Sequence, residues 1–259
     1  MRRVFGFAAV LLLLTTTNVT GQKTKKPVLP EEPEVQQYSY PFYSIINGTT
    51  NSQSGCFIKY KDSSYFVTSR NHFYTPLNEL RKLTKVMIFV ESNNLRNDAK
   101  ALSLNMKKQR LMPLCVDSVC ADIILIPINI PAEYNINYVE LSKNEDFADK
   151  DLYIAGYAQD TSKIVKTRFV KILERDSSYF LTESANTKDQ SGSPVLVYSK
   201  NKGVAKVQLA GIYAGRELKP ENFNKGLVSR ASFIYKLFEP KPVPVPQAQE
   251  VKKKKKKKN

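Results

Sequence analysis

Apolar positions along this chain come in short runs rich in β-branched and aromatic residues, each broken by a polar turn, and this pattern predicts strands rather than long helices. The runs cover 42–46, 56–59, 65–68, 85–90, 123–127, 152–156, 165–173, 179–182, 194–198 and 207–213. Helical periodicity is scarce. Apolar residues at 233, 234, 237 and 238 predict a short C-terminal helix over 232–238, and 78–83 is a second short candidate. The reading is an all-β fold of the sandwich or barrel kind, with no internal repeat.

The two ends differ from this body. Arg2 and Arg3 precede an apolar stretch of 11 residues, Val4 to Leu14, and then Thr15, Thr16, Thr17 and Gly21. That is the layout of a secretory signal over 1–21, cut near Gly21, and it is too short to span a bilayer, which needs about 20 residues. No Cys follows the cut, which argues against a lipid-anchored lipoprotein. Residues 22–37 carry Pro27, Pro30 and Pro33 among charged residues and read as a solvated linker. The folded domain is expected over 38–238. Beyond it Pro240, Pro242, Pro244 and Pro246 lead into an unbroken run from Lys252 to Lys258. With no later apolar span, the mature protein is expected to be exported, either secreted or periplasmic.

Charge sharpens that division. The chain of 259 residues has a net charge of +16, and the lysine run supplies seven of those charges. Over 38–238 there are 27 basic and 19 acidic residues, so the folded body is only mildly basic. A hydrophobic content of 42% excludes a disordered chain. One His and three Cys without a CxxC pair speak against a structural zinc site, and neither a metal nor an organic cofactor is expected. Cys115 and Cys120 are five apart, and in an oxidising setting they are expected to form a small disulfide loop. Cys56 reads as a buried apolar residue in a strand.

Three segments carry candidate chemistry. His72, the only histidine, follows the strand-like Tyr65-Phe66-Val67-Thr68 and the turn Ser69-Arg70-Asn71. Asp122 opens the apolar strand Ile123-Ile124-Leu125-Ile126. Ser191 lies in Asp189-Gln190-Ser191-Gly192-Ser193-Pro194, ahead of another strand. A serine hydroxyl needs an imidazole to take its proton, a carboxylate fixes the tautomer of that imidazole, and glycine lets backbone amides face an oxyanion. The order His, Asp, Ser excludes an α/β-hydrolase, in which the serine comes first.

The segments YFVTSRNHF, ADIILIPI, SGSPVLV and LAGIYAGR resemble the trypsin-like, chymotrypsin-fold serine peptidases, in particular the secreted bacterial-type and HtrA-like branch. The resemblance implies two six-stranded antiparallel β-barrels with the active site between them. It implies His72 as general base, Asp122 as orienting carboxylate and Ser191 as nucleophile. The oxyanion hole would use the backbone of Asp189 and Ser191, and substrate would meet Ala185, Ile212 and Tyr213. Two positions depart from the family. Counting three residues on from Thr68 reaches Asn71, one short of His72, so a bulge, or Ser69 in place of the family threonine, must restore the base. Asp189 stands where the family has a glycine. Gln190 replaces the aspartate that pairs with a new N-terminus in vertebrate trypsins, and Ala185 lacks the carboxylate that selects basic residues.

Three functions therefore remain open. One is an exported serine endopeptidase acting on polypeptides through an acyl-enzyme. Another is a catalytically inactive binding protein on the same fold. The last is a surface-adhesion protein in which Lys252 to Lys258 hold an anionic lipid, polysaccharide or nucleic acid. Asn47-Gly48-Thr49 is in addition a glycosylation acceptor in a eukaryotic secretory pathway.

Overall fold

Two-residue links set the register of the first half of the protein. Asn47 and Gly48 have φ of 50° and 81°, a backbone that matches the twist of flanking strands. They join β1 (Tyr40–Ile46) to β2 (Thr49–Tyr60), pairing Ile46 with Thr49. Lys61-Asp62 joins β2 to β3 (Ser63–Thr68) with Tyr60 opposite Ser63. The computed structural model describes residues 34–91, 100–116, 119–143, 147–158, 161–174, 176–183, 190–201 and 204–238. The expected signal, most of the linker and the lysine tail lie outside the described residues.

β4 (Leu83–Glu91), β5 (Lys100–Leu104), β6 (Met112–Val116) and β7 (Val119–Ile128) complete a seven-stranded sheet in the order β5-β4-β1-β2-β3-β7-β6. The second half contains β8 (Glu140–Leu141), β9 (Asp151–Ala158), β10 (Thr161–Ile172), β11 (Tyr179–Thr182), β12 (Pro194–Asn201), β13 (Val204–Arg216) and β14 (Gly226–Arg230). Here β12-β9-β10-β11-β14-β13 run in order, and the β12–β13 pairing closes them into a six-stranded antiparallel barrel. β8 adds to β13 in parallel. The helix α1 (Ser232–Phe238) follows. The all-β class, the closed barrel and the C-terminal helix agree with the sequence. The first half differs from a second six-stranded barrel in being a seven-stranded sheet whose end strands are not paired with each other among the described residues.

Strands at the junction of the two halves are apolar on both faces because each face meets a different core. In β7, Ala121, Ile123 and Leu125 join a cluster with Tyr153, Ala155, Leu196 and Ile212 of the second half, while Ile124 and Ile126 pack with Phe42, Phe57 and Phe66 of the first. In β9 and β12, Leu152, Ile154, Val195 and Val197 face the interior of the barrel with Phe180 and Tyr213. Such runs lose the alternation of a half-exposed strand. The 78–83 segment is not a helix. Asn78 takes φ of 65°, Thr75 N–H donates to Glu79 O at 2.8 Å, and Leu80 bridges to Tyr74. Val35, assigned to the linker by its neighbours' composition, is fully buried in the junction core, so the folded part starts before Tyr38.

Candidate functional site

β3 ends at Thr68, Ser69 continues in extended geometry, and Arg70–His72 form one 3-10 turn. Asp122, on the β7 strand beside it, is 3% exposed and accepts from Ser69 Oγ at 2.8 Å and from Asn71 N–H at 2.7 Å. Its own N–H donates to Ser229 Oγ of β14 at 3.0 Å. Asp122 thus joins the corner through its carboxylate and the second barrel through its backbone N–H. Burial pushes its ionisation up to about 6, against the opposing effects of the Ser69 and Asn71 hydrogen bonds and the Arg70 charge.

His72 turns to other partners. Its Nε2 is 2.5 Å from Ser44 Oγ of β1, and its ring lies edge-on to Phe42 and Phe73. It is buried, and desolvation, with a smaller contribution from the Arg81 charge, lowers its pKa to about 3. The imidazole is therefore neutral at any pH near 7. The hydrogen bonds of the described residues join His72 to Ser44 and Asp122 to Ser69, Asn71 and Ser229, and none joins His72 to Asp122. This departs from the expected base and carboxylate pair. The side chain that leaves the corner outward belongs to Asn71, which is exposed.

The serine turn is fixed through its backbone. Gly192 N–H donates to Tyr213 O at 2.8 Å, Tyr213 N–H to Ser193 O at 2.9 Å, and Ser193 N–H to Gln190 O at 3.1 Å. Gly192 has φ of 89°, and a Cβ there would come within 2.5 Å of both Ser54 O and Thr68 Oγ1. Only glycine lets this turn approach Ser54 of β2 and Thr68 at the end of β3 so closely. Ser191 is half-buried, and its hydroxyl makes no hydrogen bond to another described residue. Gln190 is fully buried, with Nε2 donating to Lys163 O at 3.3 Å and Oε1 without a partner.

Ala185 and Asp189 lie outside the described residues. Ile212 and Tyr213 are fully buried, one in the junction core and one in the barrel core, so as side chains they pack rather than line a substrate site. Their part in the site is the Tyr213 backbone that holds the serine turn. Cys115 and Cys120 form a disulfide between the facing strands β6 and β7, and Cys56 is a free, buried thiol whose ionisation burial pushes upward. Ser69 enters the sequence reading only as a stand-in for the family threonine, not as a partner of Asp122, and Ser229 carries no signal there. They become visible only once β7 is set beside β3 and close to β14. Among the described residues no cluster of His, Cys, Asp and Glu has metal-holding geometry.

A closed barrel packed on a second antiparallel sheet, with these segments meeting at the junction, is the trypsin-like fold. Comparison with solved structures agrees. An inactivated protease paralogue of the scabies mite superposes with a TM-score of 0.55 at 13% identity, over 78% of this chain and 92% of that one. The HtrA-type protease AlgW, solved with a tripeptide, superposes with a TM-score of 0.51 at 12% identity, over 78% of this chain and 59% of that one. Identities this low establish the fold and no more. No protein-family model and no curated protein sequence matches the chain.

Proposed function

We propose that this protein is an exported, non-hydrolysing member of the trypsin-like fold that binds a polypeptide at the corner where its two halves meet. The observation that carries the reading is the exchange at Asn71 and His72. Asn71, three residues on from Thr68, donates its backbone N–H to Asp122, while His72 is buried against Ser44 and Phe42. A carboxamide does not take up a proton near neutral pH, so Ser191 lacks the partner that acyl transfer needs. Asp122 then serves as an anchor of the corner.

Binding is supported by the surface. The four large apolar side chains exposed among the described residues are Leu77, Leu80, Leu218 and Phe223. Leu77 and Leu80 lie on the loop that leaves Asn71, and Leu218 and Phe223 on the loop between β13 and β14, the strands of Tyr213 and Ser229. Two exposed apolar residues on each of these loops are what an apolar peptide would pack against. Export rests on the signal-like N-terminus and on the disulfide. Among the described residues, no helix is long and apolar enough to cross a membrane. The lysine run from 252 to 258 adds non-specific, salt-dependent attachment to an anionic surface.

The test is to incubate the chain with a diverse peptide library and to read both retained and cleaved peptides by mass spectrometry. Retention of intact apolar peptides, weakened when Leu77 and Leu218 are changed to Ser, is the expected result. Cleavage that Ser191→Ala abolishes contradicts the reading and restores the endopeptidase.

A further inference from the structure

Five exposed cations stand on the segments that meet at one end of the first sheet: Lys82, Lys85, Lys107, Lys108 and Arg110. Ile45 faces Lys85 and Ile46 faces Leu83 across β1 and β4, and Val86 faces Leu104 across β4 and β5. The start of β4, the end of β5 and the Asn47-Gly48 turn between β1 and β2 therefore share that end. Beyond Leu104 the chain turns around Asn105. Lys108 N–H and Gln109 N–H donate to Asn105 O at 2.9 Å, and Lys107 N–H donates to Asn105 Oδ1 at 3.2 Å. Gln109 Nε2 donates to Pro127 O of β7 at 2.6 Å, which ties the turn and its cations to the body.

No carboxylate answers these cations from the strands that build this end. Asp and Glu are absent from 35–61, 80–90 and 99–116, and the nearest in the chain is Glu79, on the loop before β4. Arg81 is engaged at the corner instead, its Nε donating to Asn71 O at 3.2 Å and to Tyr74 O at 3.3 Å. Neighbouring strands are about 4.8 Å apart, so Lys85 and the turn beyond Leu104 lie within one Debye length, about 8 Å at 0.15 M salt, and their fields add. Such a fixed positive surface attracts a polyanion. The cation-bearing segments 82–86 and 104–111 contain no aromatic residue, so the bases of a single-stranded nucleic acid have no platform to stack on. Their apolar side chains Leu83, Leu104, Met106 and Leu111 pack against the core of the first half instead of facing a bilayer. Asn47, Thr49 and Thr50, exposed at the same end, offer uncharged hydrogen-bonding groups beside the cations. A chain that carries both sulfates and hydroxyls matches that mixture. We propose that this end of the first sheet binds a sulfated polysaccharide, with its sulfates on Lys85, Lys107 and Lys108 and its hydroxyls on the turn between β1 and β2. The surface is separate from the lysine run and from the polypeptide site, and the proposal depends on neither.

The experiment titrates heparin calorimetrically into the full chain with Lys252 to Lys258 each changed to Gln, so that the tail contributes nothing. Binding that weakens as salt rises, and that desulfated heparin does not reproduce, is expected. Adding Lys85→Gln, Lys107→Gln and Lys108→Gln is expected to weaken it at least about tenfold. Lys163→Gln, Lys171→Gln and Lys219→Gln remove the same charge from exposed positions of the second half and are expected to change it by less than about twofold. All six side chains are exposed, so both triple variants should keep the thermal unfolding midpoint of their parent. The proposal is overturned if the tail-neutralised chain does not bind heparin, which would assign such binding to the lysine run. It is also overturned if the two triple variants weaken binding alike, which would make it a matter of net charge. Tighter binding of duplex DNA or of phosphatidylserine vesicles than of heparin, lost with Lys85, Lys107 and Lys108, would overturn it in favour of that other polyanion.

Discussion

Asn71 and His72 are adjacent in the chain, yet one faces solvent and the other is enclosed by Phe42, Phe73 and Ser44. A packed histidine and a reacting one differ in what their removal does. His72→Ala is expected to cost about 2–4 kcal/mol of stability, as truncation of a buried ring does, whereas Asn71→Ala should change stability by less than about 0.5 kcal/mol; urea unfolding of both variants checks this. The pH dependence of stability reports on the same corner. The pKa of His72 is lowered on folding, so the unfolded chain takes up a proton that the folded one refuses, and stability is lost as pH falls from about 6.5 to about 3. The pKa of Asp122 is raised, so its effect has the opposite sign: stability falls as pH rises from about 4 to about 6, by on the order of 3 kcal/mol for that group alone. Asp122→Asn should therefore gain on the wild type across that window, read from urea midpoints at successive pH values. The sequence placed Asn71 in the slot three residues after Thr68 and left its meaning open. Which neighbour's backbone reaches Asp122 is a matter of three-dimensional register that spacing alone does not settle.

Elements were legible where hydrophobic pattern decides them. All ten expected runs fall on strands, the seventh passing the end of β10 by one residue, and α1 appears where its spacing of apolar residues put it. β5, β6, β8 and β14 were not anticipated. They are short, and Ser229 and Arg230 give β14 polar residues at buried positions, which reads as a loop. The expected helix at 78–83 has apolar residues only at Leu80 and Leu83, and Leu80 is exposed. The serine turn is the element on which the site depends most closely. Gly192→Ala combines an unfavourable φ with clashes against the Ser54 carbonyl and the Thr68 hydroxyl and should destabilise by more than about 2 kcal/mol, seen as a lowered midpoint in thermal unfolding. The Cys115–Cys120 link closes a short loop inside an existing hairpin, so replacing both cysteines by serine should cost about 2 kcal/mol or less in the same assay.

At the scale of the whole molecule, the fold and the order of its three segments are those of a peptidase, while the contacts at their meeting point hold a carboxylate without an imidazole. The scaffold persists because its junction core, running through β2, β7, β9, β12 and β13, does not depend on the identity of residue 71. In the proposed function, the exposed leucines and Phe223 contact the polypeptide and the lysine run attaches the protein to an anionic surface. The most direct test treats the folded protein with a fluorophosphonate probe at neutral pH and locates any adduct by mass spectrometry. The account predicts no adduct at Ser191. An adduct there, lost in a His72→Ala variant that remains folded, would mean that the imidazole reaches the serine and would contradict it.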